Sequence, residues 1–222
     1  MSSFVLKIIA LFSMFCDHFG RVLSKGELSF MNYIGRIAFP IFAFQISEGY
    51  AHTKDLKKYF IKLFTFALIS QIPFNLFQYA FGYDFTFNIM FTLILGLSAI
   101  TLWDKLPNKL LGALGVIICI FLGNVFPVDY GYWGVLLIFC FYLFRNNKLL
   151  MSIIFFLLIL ARYGNNIIYS NFYYPYLLLS LSTFLSIVPI LMYNGKQGIK
   201  TKYGLYIFYP LHLLILALFY LL

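Results

Sequence analysis

FVLKIIALFSMFCDHFG, residues 4–20, decides the fold class. Its opening resembles a secretory leader, but it has no small-residue cleavage site and runs straight into Asp17 and His18. The stretch therefore predicts a retained first membrane helix. The rest of the chain agrees: hydrophobic types make up 63% of the 222 residues and charged types only 10%. Soluble domains carry about 25% charged residues, so an apolar excess of this size must face lipid as well as a core. An ordinary soluble domain and a disordered chain are both excluded. Cys16, Cys119 and Cys140 lie far apart within apolar runs and lack metal-ligand spacing, which predicts packing residues rather than a disulfide framework or a metal site.

An apolar window moved along the chain gives about nine candidate spans. They are 4–20, 30–50, 59–79, 85–103, 110–126, 130–144, 149–162, 172–193 and 203–222. The seventh is short for a bilayer crossing of about 20 residues, so it is tilted, re-entrant or extended through the polar stretch that follows. The net charge of +9 reads as topology rather than as affinity for nucleic acid. With the N-terminus in the cytoplasm, Lys54, Lys57, Lys58, Lys105, Lys109, Arg145, Lys148, Lys196, Lys200 and Lys202 fall on cytoplasmic connections. Lys7 and Lys62 sit at neighbouring helix ends, and the opposite side holds only Arg21, Lys25 and Arg162. The positive-inside rule then predicts an all-α, multi-pass bundle, N-in and C-out, and the abundance of Phe, Ile, Lys, Asn and Tyr points to an AT-rich bacterial genome and hence to a bacterial cytoplasmic membrane. The loops are too short for a soluble module, so residues 1–222 are expected to form one membrane domain.

Ionisable residues inside spans carry the functional information, because each costs at least about 2.5 to 3.5 kcal/mol at the bilayer centre. At about 1.5 Å per residue, His18 lies roughly 20 Å up the first span, and Arg36 lies roughly 9 Å down the second. In a core of about 30 Å these depths coincide. Asp17, His18 and Arg36 are thus expected in one layer of the outer half. Adjacent helical residues point about 100° apart, so Asp17 pairs more cheaply with Arg36 than with His18. On the third span Gln71 and Asn75 share a face and reach about 18 to 24 Å, where they can join that layer.

His212 comes to about 14 Å, nearer the midplane, and serves either the site or a plain interhelical hydrogen bond. Glu48, near the cytoplasmic end of the second span, can answer Lys54, Lys57 and Lys58. Pro40 and Pro73, with Gly35 and Gly49, suggest kinks in mid-span. The aromatic run Tyr169, Phe172, Tyr173, Tyr174 and Tyr176 reads as an outer interface belt. Two lysine clusters, Lys54/Lys57/Lys58/Lys62 and Lys196/Lys200/Lys202, suit anionic lipid or the phosphates of a nucleotide-bearing cofactor. No phosphate-loop glycine pattern, GxSxG, HExxH or CxxC is present.

LKIIALFSMFCDHFG, IGRIAFPIFAFQISEGYAHTKDLKKY and FALISQIPFNL resemble the opening blocks of the TraX family of membrane proteins, named for acetylation of conjugative pilin. FNIMFTLILGL, DYGYWGVLLIFCFYLFR and FYPLHLLIL resemble its later blocks. More remotely the family is similar to the transmembrane acyltransferases, including acyltransferase-3 and heparan-glucosaminide acetyltransferase proteins. The resemblance implies acetyl transfer from cytoplasmic acetyl-CoA to an amine or hydroxyl on the outer side, of a pilin, glycan, lipid or peptide. By position, His18 is implied as the catalytic base, Asp17 as its acidic neighbour and Arg36 as the second-span arginine that steadies an oxyanion or holds Asp17. Glu48, Asp129 and His212 fall in family blocks of less settled role, Asn75 or Asn88 is a candidate oxyanion donor, and the lysine clusters would take the phosphates. The family pattern has an acidic pair where this chain has Gln71 and Asn75, which argues against a catalytic carboxylate there. No metal is implied. The competing readings are a solute or lipid transporter without acyl transfer, and a structural subunit of a surface appendage.

Overall fold

The computed structural model describes residues 1–170, 173–200 and 203–222. Among them the regular elements are helical: α1 (Ser3–Leu23), α2 (Phe30–Gly35), α3 (Ala38–His52), α4 (Leu56–Ala80), α5 (Ile89–Lys105), α6 (Lys109–Val125), α7 (Gly131–Leu143), α8 (Lys148–Tyr169), α9 (Tyr174–Leu185), α10 (Ile187–Leu191) and α11 (Gly204–Leu221). An isolated parallel bridge joins Phe87 to Val128. The predicted all-helical class is thus observed. Four segments are long and apolar enough to cross a membrane: Ser3–Leu23, Leu56–Ala80, Lys148–Tyr169 and Tyr174–Leu191. Large apolar side chains such as Ile72, Leu110, Leu149 and Phe219 point outward, as lipid-facing positions do.

Short polar side chains start the helices. Asp55, Asn88, Asn108 and Asn147 accept from the backbone N–H of Lys58, Met90, Leu110 and Leu150 at 2.9, 3.0, 2.8 and 3.0 Å, opening α4, α5, α6 and α8. The second predicted span is two helices rather than one. The chain breaks at Arg36 and Ile37, between α2 and α3, and Pro40 lies in the first turn of α3, where a missing N–H leaves no helical bond unmade. Pro73 does sit inside α4. The seventh predicted span takes the extended form: α8 continues through Gly164, Asn165 and Asn166 to Tyr169. Packing carries it through these weak helix formers, because Tyr163 and Ile167 are buried and the Tyr163 hydroxyl lies 3.4 Å from Thr183 Oγ1 on α9.

Two compact units emerge, residues 1–42 with 147–222 and residues 43–146. In the first, α1 packs against α2 and α11, and α8 against α9. Its lower rim is defined by backbone bonds. Ser3 N–H and Phe4 N–H donate to the carbonyls of Lys196 and Gln197 at 2.8 and 3.0 Å, Asn194 N–H donates to Met1 O at 3.0 Å, and the Met1 ammonium donates to Met192 O. Lys148 Nζ reaches Leu191 O at 3.0 Å. The starts of α1 and α8, the end of α10 and the 192–200 segment therefore share one end. In the second unit α5 packs against α4, α6 and α7, and Gly112 and Gly115 bring α6 close to Trp103 and Leu102 of α5.

Gly35 lets α2 lie against α1. A Cβ there would fall 2.3 Å from Asp17 Cβ and 2.8 Å from Asp17 Cα. Gly35→Ala should therefore force the two helices apart and lower stability by about 1 to 3 kcal/mol, read as a fall in the detergent melting temperature, whereas Gly164→Ala, facing open space, should leave it within error.

Candidate functional site

In the first unit the end of α1 and the short helix α2 hold a half-buried ion cluster. Asp17 Oδ1 accepts from Arg36 Nη2 at 3.1 Å, and Arg21, one turn along α1, approaches Asp17 Oδ2 at 3.6 Å. Asn32, only 1% exposed, donates through Nδ2 to the Asp17 carbonyl at 2.9 Å and to Asp17 Oδ1 at 3.3 Å, while its Oδ1 accepts the Ser29 N–H at 2.8 Å. The Asp17–Arg36 pairing expected from depth and economy is what the coordinates contain. Asn32 and Arg21 were not foreseen as parts of it.

His18 points another way and meets α11. His18 Nδ1 lies 2.9 Å from His212 Nε2, and His212 Nδ1 lies 2.8 Å from the Phe208 carbonyl oxygen. A carbonyl only accepts, so His212 Nδ1 carries a hydrogen. With that ring neutral its Nε2 is a lone pair, and the hydrogen between the rings belongs to His18 Nδ1. Neutral His18 then holds its own lone pair on Nε2. Phe208 stacks on His212 with centroids 4.9 Å apart and planes 12° apart, and Tyr209 tilts against it at 5.9 Å, which fixes the ring.

His212 thus lies beside His18, where the residue counts put it lower. The discrepancy has a geometric origin. Both helices rise from the end where Ser3 bonds Lys196, yet His18 lies fifteen residues beyond Ser3 and His212 eight beyond Gly204. The start of α11 therefore lies about 10 Å further along α1 than Ser3 does.

The second unit holds Gln71, Asn75 and Asn88 in one network. Asn88 N–H and Asn88 Nδ2 donate to Gln71 Oε1 at 3.1 and 2.9 Å, and Asn88 Nδ2 also donates to Ala67 O at 2.7 Å. Gln71 Nε2 donates to Thr86 O at 2.7 Å and to Asn75 Oδ1 at 2.9 Å. Asp129 takes part through its backbone: its N–H donates to Phe87 O at 2.9 Å and its carbonyl accepts the Thr92 hydroxyl. Glu48 pairs with His52 at 3.4 Å, one turn on, rather than with the lysines. Lys58 is taken up by Asp55 at 3.0 Å. Lys54, Lys57 and Lys58 are exposed and Lys62 half-buried at the start of α4, while Lys196 and Lys200 are exposed on the rim of the first unit. Lys202 and Phe172 lie outside the described residues. Tyr169, Tyr173 and Tyr174 are exposed, as a belt requires.

A further cluster escaped the sequence reading. Tyr50 and Tyr142 donate to the two oxygens of Asp104 at 2.7 and 3.1 Å, clasping the ends of α3, α5 and α7. Its only sequence trace is a carboxylate among lysines at a helix end.

The ion cluster gives a stability test. Arg36→Ala should cost about 3 kcal/mol by stranding a buried carboxylate, while Asp17→Asn with Arg36→Met should recover most of that loss, measured by thermal unfolding in one detergent.

No solved structure matches the chain. A protein described as "Probable fimbrial assembly protein FimC, serogroup H1", from Dichelobacter nodosus, is 27% identical over 252 aligned positions, covering 97% of this chain and 94% of the relative. The pattern described as TraX protein matches residues 2–220. Both charged clusters and both histidines of the relay fall inside that match, and the chain belongs to the TraX family.

Proposed function

We propose that the protein is an integral membrane acetyltransferase of the bacterial cytoplasmic membrane. It takes acetyl groups from cytoplasmic acetyl-CoA and passes them to an amine or hydroxyl on the outer side, with His18 as general base. The carrying observation is the hydrogen-bonded series from His18 through His212 to the Phe208 carbonyl. It leaves a basic nitrogen on His18 whose ring direction is set by a second ring and a backbone oxygen, the arrangement general-base catalysis needs.

Nine passes, N-in and C-out, follow if α2 with α3 and α9 with α10 each count as one crossing. The rim of the first unit, with Lys148, Lys196 and Lys200, is then cytoplasmic. Lysines there suit the phosphates of CoA as point charges, about 22 Å along α1 from His18. His18 Nε2 takes the proton of the acceptor as its oxygen or nitrogen attacks the thioester carbonyl, and returns it to the departing sulfur. Asp17, next on the helix, steadies the transient imidazolium, and Arg36 holds Asp17 rather than an oxyanion. The relative's name speaks of fimbrial assembly, which agrees with an acceptor outside, whether pilin, glycan, lipid or peptide.

The test uses the full chain in liposomes with labelled acetyl-CoA and host outer-face material as acceptor. Wild type should transfer label; His18→Ala should lose at least about 100-fold, and His212→Ala a smaller factor with an altered pH profile. Transfer unchanged by His18→Ala ends the proposal, and solute movement without transfer favours a transporter.

A further inference from the structure

The amide network of the second unit ends in a directed donor. Asn88 is fixed because its Nδ2 meets the Ala67 carbonyl and its Oδ1 accepts the Met90 N–H at 3.0 Å. Gln71 is fixed because its Oε1 accepts the Asn88 N–H and its Nε2 meets the Thr86 carbonyl. Backbone groups thus force both amide orientations. Gln71 Nε2 then spends its second hydrogen on Asn75 Oδ1, so the Asn75 NH2 faces away from the network and donates to no group among the described residues. Asn75 is half-buried and lies five residues from the end of α4, about 8 Å from it. One turn further on the same face stands Tyr79, 58% exposed.

We infer that Asn75 and Tyr79 form a subsite for a neutral saccharide on the outer side. Among the described residues no Lys or Arg joins this network, so it lacks the paired cationic clamp of a carboxylate or phosphate site, and its amide donor suits a neutral oxygen. Recognition of an extended peptide needs alternating donors and acceptors along a backbone edge, which one amide on a helix does not offer. A sugar ring presents hydroxyl or acetamido oxygens at its rim and a C–H face that lies against an aromatic ring. An interface belt accounts for Tyr79 alone, but not for an amide oriented through three residues. The inference rests on the acetyltransferase reading for the side of the membrane it assigns, and the subsite lies wholly within the second unit.

The experiment is saturation-transfer NMR on the full chain in nanodiscs, without acetyl donor, using N,N′-diacetylchitobiose and trialanine amide as probes. Wild type should bind the saccharide saturably and in preference to the peptide. Asn75→Asp keeps the oxygen that accepts from Gln71 and removes the donors, so affinity should fall about tenfold with the melting temperature unchanged; Tyr79→Ala should weaken binding similarly. Equal affinity in Asn75→Asp, no saturable saccharide binding by wild type, or preference for trialanine amide each overturns the inference. Because no acetyl donor is present, saccharide binding that persists in a protein unable to transfer acetyl groups removes the enzymatic reading alone.

Discussion

The salt bridge between Asp17 and Arg36 is the constraint around which the first unit is arranged. Two opposite charges in apolar surroundings are tolerable only when close and fully hydrogen-bonded. That requirement explains why α2 ends where it does, with Gly35 against Asp17 and the chain breaking at Arg36. It also explains Asn32, whose amide ties the start of α2 to the backbone and carboxylate of Asp17. A continuous helix over 30–50 would satisfy propensity and lose this geometry.

Elsewhere the protein settles its polar side chains by a repeated device. Each orienting group is itself held by a backbone carbonyl or N–H: His212 by Phe208, Gln71 by Thr86, Asn88 by Ala67 and Met90. Backbone partners do not rotate, so the tautomer of an imidazole or the direction of an amide is decided by the fold, and the last member of each series is presented in one defined state. In a low-dielectric surrounding such preorganisation is where hydrogen-bond donors and bases gain their effect.

How far the sequence disclosed this depended on chain separation. Asp17 and Arg36 sit on elements joined by a short turn, so counting residues from two helix ends was enough to bring them together. His212 came out lower than His18 because the count began at Tyr203, and nothing in the sequence sets the height of that starting point against α1. Pro40 looked like a kink in mid-span because α2 and α3 read as one apolar run; the break falls at Arg36 and Ile37, where ion pairing overrides the pattern. Glu48 and Asp104 were obscured by neighbouring lysines, which fit the positive-inside pattern, while their partners His52, Tyr50 and Tyr142 come from helix periodicity or from other elements.

The first unit is assembled from the two ends of the chain, residues 1–42 and 147–222. Asp17, Arg21, Asn32 and Arg36 belong to its opening segment and supply one another's partners within a single hairpin, so that cluster is complete as soon as the hairpin is synthesised. The ring that meets His18, that of His212 on α11, is made almost two hundred residues later. During biogenesis the contact between the two imidazoles is therefore completed long after the ion cluster, when α11 joins α1.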